Sequence, residues 1–141
     1  MKPKLLLRIA AVLMFFHFLG HSVGLAGWKD SADPVEHQVI QQMTGHQFPF
    51  MGAVHSLGDF YEGFGYGCSI TLLLIAVVLW IISGETSTNI RLVKKMTVVI
   101  GIALLVWATD EAIYFFPFAT GLSFIAGLCC FWSAYLQKEQ Q

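Results

Sequence analysis

Histidines, carboxylates and one tyrosine lie within or beside stretches of the sequence that are otherwise apolar. The set is His17, His21, His55, Asp59, Glu62, Tyr66, Asp110 and Glu111. An ionisable group in an apolar segment is costly to bury and needs a partner, so it marks a functional site by default. A histidine beside a carboxylate in a low-dielectric site can exchange protons near neutral pH. We therefore take these side chains as a candidate ligand pocket.

The spacing of these residues places them on shared helix faces. His17 and His21 are four residues apart and share one face. A second stripe, at steps of four, three and four residues, comprises His55, Asp59, Glu62 and Tyr66. Ser56 with Asp59 also fits a capping box, which is a purely structural use of that carboxylate.

Three of the side chains lie at one predicted depth. Counted from the inner end of each apolar segment, His21, Tyr66 and Asp110 lie roughly 20, 24 and 22 Å along their helices. Asp110 and Glu111 are successive and point about 100° apart, so the sequence does not choose which one faces the interior. We predict an outward-opening polar pocket around His21, Tyr66, Glu62 and Asp110. In the alternative, the polar groups only pair with one another to reduce their burial cost.

Acid–base catalysis on a lipophilic substrate is one chemistry that such a pocket could perform. His21 would carry the proton, with Asp110 or Glu62 as its carboxylate partner. Tyr66 would donate a hydrogen bond. No nucleophile elbow, phosphate loop or other catalytic signature accompanies these residues. We therefore favour a non-catalytic carrier or accessory role with a small or lipophilic ligand, and keep the enzyme as an alternative.

Metal binding is the other alternative. His17 and His21 could supply two ligands to one zinc or iron ion, with Asp110 or Glu62 as a third. One of the histidines could also hold a haem. The Glu-x-x-His pairs expected of a carboxylate-bridged di-metal site are missing, and the histidine spacing alone does not identify a metal.

The composition of the chain indicates which elements position these residues. Of its 141 residues, 56% are hydrophobic and 12% are charged. Soluble domains carry about 25% charged residues, so a water-soluble globular domain is excluded and lipid must solvate much of the chain. A helix that crosses a bilayer needs about 20 mostly apolar residues. Such stretches predict one all-α membrane domain, a four-helix bundle with spans at about 5–27, 56–82, 96–116 and 119–136.

The segment 28–55 separates the first two predicted spans. Asp33, Pro34 and Glu36 form a pattern typical of a helix start. An apolar face follows, formed by Val35, Val39, Ile40 and Met43. We expect a short amphipathic helix on the outer membrane surface that ends near Gly45. Residues 46–52 are then expected to lead into the second span.

Basic residues predict the orientation, because Lys and Arg in short loops stay on the cytoplasmic side. With the N-terminus inside, the cytoplasmic set is Lys2, Lys4, Arg8, Arg91, Lys94, Lys95 and Lys138. Lys29 alone lies outside, so both termini are predicted to be cytoplasmic. The net charge of −1 and the lack of a basic cluster exclude nucleic acid as a partner. The expected partners are membrane lipid and a small lipophilic ligand.

The N-terminal stretch also imitates a secretory signal peptide. Lys2 and Lys4 precede an apolar run that ends at the small-residue sequence Gly24-Leu25-Ala26. Two histidines inside the run argue against cleavage. We therefore expect an intact first span.

Several short motifs in the first 80 residues form a pattern of their own. They are Gly20-His21-Ser22-Val23-Gly24, Trp28, Met43, Phe48-Pro49-Phe50-Met51-Gly52, Asp59-Phe60-Tyr61-Glu62-Gly63-Phe64-Gly65 and Leu79-Trp80. This GH-x-x-G and DFY-x-GFG pattern resembles a family of uncharacterised bacterial four-pass inner-membrane proteins with no assigned activity. The resemblance implies the architecture and a bacterial inner membrane, and it transfers no catalytic residue. The second half of the chain matches only in hydropathy.

Overall fold

The computed structural model of the protein describes residues 2–137, and about 80% of these residues are helical. In chain order the elements are α1 (Pro3–Ala26), α2 (Pro34–Gly45), β1 (Gln47–Phe50), β2 (Ala53–Ser56), α3 (Leu57–Gly84), α4 (Ile90–Tyr114) and α5 (Pro117–Leu136). Four of the helices, α1, α3, α4 and α5, are long and apolar enough to cross a membrane. The predicted all-α fold with four membrane-length helices is therefore confirmed.

The long helices keep most of their apolar surface on the outside. Within the most apolar stretch of each helix, only 22–39% of the residues are buried inside the molecule. Phe64, Ile70 and Val99 are examples, with 65–76% of their surface exposed. Apolar side chains that point outward in this way are stable when lipid, rather than water, surrounds the helix.

The helix ends differ slightly from the predicted span ends. α4 begins at Ile90, whereas the predicted span begins at 96. The helix continues through its charged first turns because hydropathy marks the hydrocarbon core, while backbone hydrogen bonding continues into the interface. α5 begins at Pro117, at its first helical position, where the missing N–H of proline costs nothing. Lys138 lies outside the described residues.

The described residues form two compact units. The terminal unit comprises the chain up to Phe18 and from Leu72 onward, and the central unit comprises Leu19–Thr71. The terminal unit contains all of α4 and α5, and the central unit contains α2 and both strands.

In the terminal unit, α4 and α5 pack through small residues. A side chain at Gly101 would stand 3.1 Å from Phe131 and 3.2 Å from Cys130. A side chain at Gly127 would stand 3.0 Å from Leu105. Glycine thus lets the two helices approach closely, as is common in membranes, where close van der Waals packing drives helix association.

In the central unit, α2 forms as its sequence predicts. The Asp33 carboxylate accepts hydrogen bonds from the backbone N–H groups of Val35 at 2.8 Å and Glu36 at 3.1 Å. Pro34 occupies the first turn, and the helix ends at Gly45. Of the predicted apolar face, Ile40 is buried while Val39 is about half exposed.

The strands β1 and β2 form a hairpin that the sequence analysis missed. They pair antiparallel, from Gln47 opposite Ser56 to Phe50 opposite Ala53. Met51 and Gly52 form the two-residue turn, with φ of 49° and 89°. Both values lie in the left-handed region that such turns require, and that region favours Gly or Asn over Met. Because Pro49 also argues against a strand, the usual hairpin signal is absent from this sequence.

Candidate functional site

A histidine, a glutamate and a serine meet in the interior of the terminal unit. His17 Nε2 lies 3.1 Å from Glu111 Oε1. On the other side of the ring, His17 Nδ1 lies 3.2 Å from Ser123 Oγ. The exposed fractions of the three residues are 7%, 3% and 0%. All three side chains of this chain of contacts are therefore buried.

Three helices supply one side chain each, and each side chain continues a buried stripe. On α1 the stripe runs through Leu7, Ala10, Met14 and His17. On α4 it runs through Thr97, Gly101, Leu104, Ala108 and Glu111, at steps of four, three, four and three residues. Glu111 is therefore buried by the helical repeat, whereas Asp110 points about 100° away and is exposed. The structure thus selects Glu111 as the interior acid.

Ser123 is the site residue that the sequence analysis did not identify. It lies on the buried stripe of α5 with Ala119, Ala126 and Cys130. The available signal was this run of small residues at helical spacing, which indicates a close helix contact in a membrane protein. A serine within such a run has a hydroxyl that must find a partner, and here that partner is His17.

The arrangement can hold a proton at a defined position. Protonated on both nitrogens, His17 donates to the Glu111 carboxylate and to Ser123 Oγ. When one proton moves from Nε2 to Oε1, the ion pair becomes a neutral pair. In the low dielectric of the interior, the relative free energies of these two states depend strongly on the groups around them. Within the terminal unit, α5 and the part of α3 from Leu72 carry no charged residue, and Arg8 lies roughly 13 Å from His17 along α1. The charged residue nearest to Glu111 in sequence is Asp110.

In the central unit, His21 makes a backbone contact instead. Its Nε2 lies 3.0 Å from the carbonyl oxygen of Gly65 and donates to it, because a carbonyl can only accept. Gly65 is buried against Leu25, which lies one turn after His21. Tyr66 lies beside this contact in sequence, but 59% of its surface is exposed. Of the predicted pocket residues, His21 is therefore half-buried and Tyr66 is exposed.

Glu62 anchors the segment that follows α1. Its carboxylate accepts a hydrogen bond from Trp28 Nε1 at 3.1 Å and lies 2.6 Å from Lys29 Nζ. The hydrogen bond to Glu62 raises the pKa of Lys29 above its ordinary value. The Trp28 ring also packs on Tyr61, with centroids 4.6 Å apart. The carboxylate that was predicted to line a pocket is thus bound to groups of the outer segment.

Asp59 forms the capping box that its spacing allows. Its carboxylate accepts from the backbone N–H of Ser56 at 2.7 Å, and Ser56 Oγ accepts from the Asp59 N–H at 3.1 Å. His55 Nδ1 lies 3.9 Å from the same carboxylate. Beside them, Phe60 and Phe64 help to line a shallow groove of about 280 Å³. The predicted site residues His55 and Asp59 thus lie at the end of β2 and in the first turn of α3.

The eight candidate residues therefore fall into two groups. The terminal unit contains His17, Asp110 and Glu111, and the central unit contains His21, His55, Asp59, Glu62 and Tyr66. Because His21 and Asp110 belong to different units, the pocket that both were predicted to line stays a prediction. In residues 2–137 no group of three or more His, Cys, Asp or Glu side chains is arranged to hold a metal ion.

Comparison of the chain with protein-family models, with curated proteins and with solved structures finds no match. The resemblance carried by Gly20–Gly24 and Asp59–Gly65 therefore stays a prediction.

Proposed function

We propose that the protein is a multipass protein of the bacterial inner membrane with a carrier or accessory role, and that His17 and Glu111 form its proton-binding site. The single observation that carries the proposal is the buried contact of 3.1 Å between these two side chains. Ionisable pairs of this kind within membrane helices are typical of proton relays in transporters and pumps.

The membrane orientation is part of the proposal. Lys and Arg concentrate at the ends of the helices that would face the cytoplasm, with Arg91, Lys94 and Lys95 between α3 and the apolar part of α4. This distribution supports cytoplasmic termini by the positive-inside rule. The segment between α1 and α3 would then face outside, and the bacterial inner membrane follows from the resemblance of its motifs.

The burial of the pair gives proton binding a structural consequence. An ion pair in a low-dielectric interior gains from close contact, while a neutral pair tolerates separation. Uptake of one proton by the ion pair leaves only His17 charged, and release of one proton leaves only Glu111 charged. Either step removes the attraction between opposite charges that holds α1 to α4. A carrier needs a site whose two protonation states favour different helix arrangements, and the His17–Glu111 contact supplies such a site.

The same side chains support nucleophilic catalysis less well. Ser123, His17 and Glu111 form a line of hydroxyl, imidazole and carboxylate, as in serine hydrolases. Ser123 has no exposed surface, so a substrate carbonyl could not reach its oxygen without helix separation. Proton binding needs only access for a proton, and we therefore prefer it.

Histidine-selective ¹⁵N NMR on protein in lipid nanodiscs tests the site. We expect His17 to change protonation state once between about pH 4 and 9, and its titration to move in the E111Q variant. D110N is the matched control, since Asp110 is the adjacent but exposed acid, and it should leave the titration of His17 unchanged. A His17 ring with one protonation state over the whole range would overturn the proposal.

Proton flux into proteoliposomes then separates the two roles. Vesicles with a trapped pH-sensitive dye and an imposed membrane potential report any proton movement. Flux that is lost in E111Q and kept in D110N supports the carrier role. A titrating His17 without flux in the wild-type protein supports the accessory role instead.

A further inference from the structure

An apolar groove runs along the terminal unit between α1 and α3. It is lined by Ala11, Val12 and Phe15 of α1 and by Leu73, Val77 and Trp80 of α3. The helices are antiparallel along it, because the early residues of α1 lie beside the late residues of α3. The groove has a volume of about 280 Å³ and an almost wholly apolar wall. The wall offers almost no polar group that could orient a drug-sized ligand, so the groove suits a hydrocarbon chain better.

A cation stands at one end of this groove. The Arg8 guanidinium carbon lies 4.9 Å from the centroid of the Trp80 ring, and Trp80 itself lines the groove. The Arg8 Nε atom is enclosed and has no hydrogen-bond partner among the described residues. An enclosed guanidinium N–H without an acceptor is costly, and it indicates that an acceptor belongs there.

Within the described residues, the parts of α1 and α3 that belong to the terminal unit offer no anion to Arg8. α1 up to Phe18 and α3 from Leu72 contain no acidic residue. The first acid after α3 is Glu85, whose carboxylate accepts a hydrogen bond from Thr88. Lys4 lies one turn before Arg8 and adds a second positive charge at this end of α1. An anion that pairs with Arg8 therefore has to come from outside these elements.

We propose that the groove binds one acyl chain of an anionic phospholipid, with the lipid phosphate at Arg8. The guanidinium fork matches phosphate oxygens in two parallel hydrogen bonds, and this geometry would satisfy Nε. Arg8 and Trp80 each lie within about two turns of a helix end, which is the level of the lipid headgroups. The proposal does not depend on the proton site of His17 and Glu111.

Native mass spectrometry of the detergent-purified protein with added phosphatidylglycerol or phosphatidylcholine tests this site. We expect the wild-type protein to retain phosphatidylglycerol in preference to phosphatidylcholine. In R8Q the retention of phosphatidylglycerol should fall about tenfold, as for the loss of one charge-assisted contact. The matched control is K95Q, which removes an exposed basic residue from α4 and should bind as the wild type does.

A second pair of variants tests the acyl-chain groove without touching the charge. V77W fills the groove from a position that is 46% exposed, and V99W adds the same bulk to α4 at a position that is 65% exposed. V77W should lose bound phosphatidylglycerol, and V99W should keep it. Equal retention by wild type, R8Q and V77W would overturn the proposal. If R8Q does not fold, equal wild-type retention of the two lipids overturns it equally well.

Discussion

The terminal and central units use the same side-chain types in opposite ways. In the terminal unit, His17 contacts Glu111 and Ser123 on two other helices, and all three residues are buried. In the central unit, Glu62 and Asp59 hold nearby backbone and side-chain groups at a partly exposed surface. A histidine or carboxylate in an apolar sequence therefore marks a chemical site only when other elements enclose it. Residue type by itself does not separate that case from a helix cap.

Removal of the interior acid should have the largest effect. In E111A the imidazole of His17 loses its carboxylate partner while it remains enclosed, which should cost about 3 kcal/mol of unfolding free energy. The measurement is the unfolding free energy in mixed micelles. D110A, which changes an exposed neighbour, should stay within about 0.5 kcal/mol of the wild type. Equal losses in both variants would remove the distinction between the two acids.

Removal of the cap in the central unit should have a smaller effect. In S56A the Asp59 N–H loses its acceptor at the start of α3, and caps of this kind contribute about 1 kcal/mol. Amide hydrogen exchange of residues 57–60 should increase, while exchange in α5 stays unchanged. The control is T71A, which removes a hydroxyl that donates to the Gly67 carbonyl within the same helix. Faster exchange throughout both units in S56A would show that the cap is not a local device.

The ion pair between Lys29 and Glu62 should have the smallest effect on stability. Because Glu62 raises the pKa of Lys29, the pair, while Glu62 is ionised, stabilises the folded state below the ordinary lysine pKa. This contribution is lost as the pH rises through the raised value. In E62Q the Lys29 pKa should return toward its ordinary value, which side-chain NMR measures. D30N, which changes the adjacent acid, should not move it. A Lys29 pKa that is the same in E62Q and the wild type would contradict this pairing.

The fold could be predicted because a helix that crosses a bilayer needs a long run of apolar residues. Long apolar runs gave the four long helices, and Asp33 with Pro34 gave the start of α2. The hairpin at Met51 was missed because a short strand pair with Pro49 has no strong local signal. Long apolar helices and capped helix starts can therefore be predicted from sequence, whereas this short hairpin could not.

The site could be predicted only in part, because helix rotation depends on packing. His17 and Glu111 were among the candidates, but the stripe of α4 was needed to separate Glu111 from Asp110. Ser123 carries no charge and lies in a run of small residues, so nothing in its type marks it as a partner of His17. Glu62 was predicted to line a pocket. Its contacts with Lys29 and Trp28 could not be predicted, because they depend on how the outer segment folds back.

The separation of the contacting residues along the chain has a kinetic consequence. His17 and Ser123 are 106 residues apart, so a ribosome working at roughly 5–20 residues per second makes the serine about 5–20 s after the histidine. During most of that interval α1 is already made, but its histidine has neither Ser123 nor Glu111 to contact. A chain that stops before α5 therefore leaves His17 without its contact to Ser123. The burial of this contact thus distinguishes a complete chain from a truncated one.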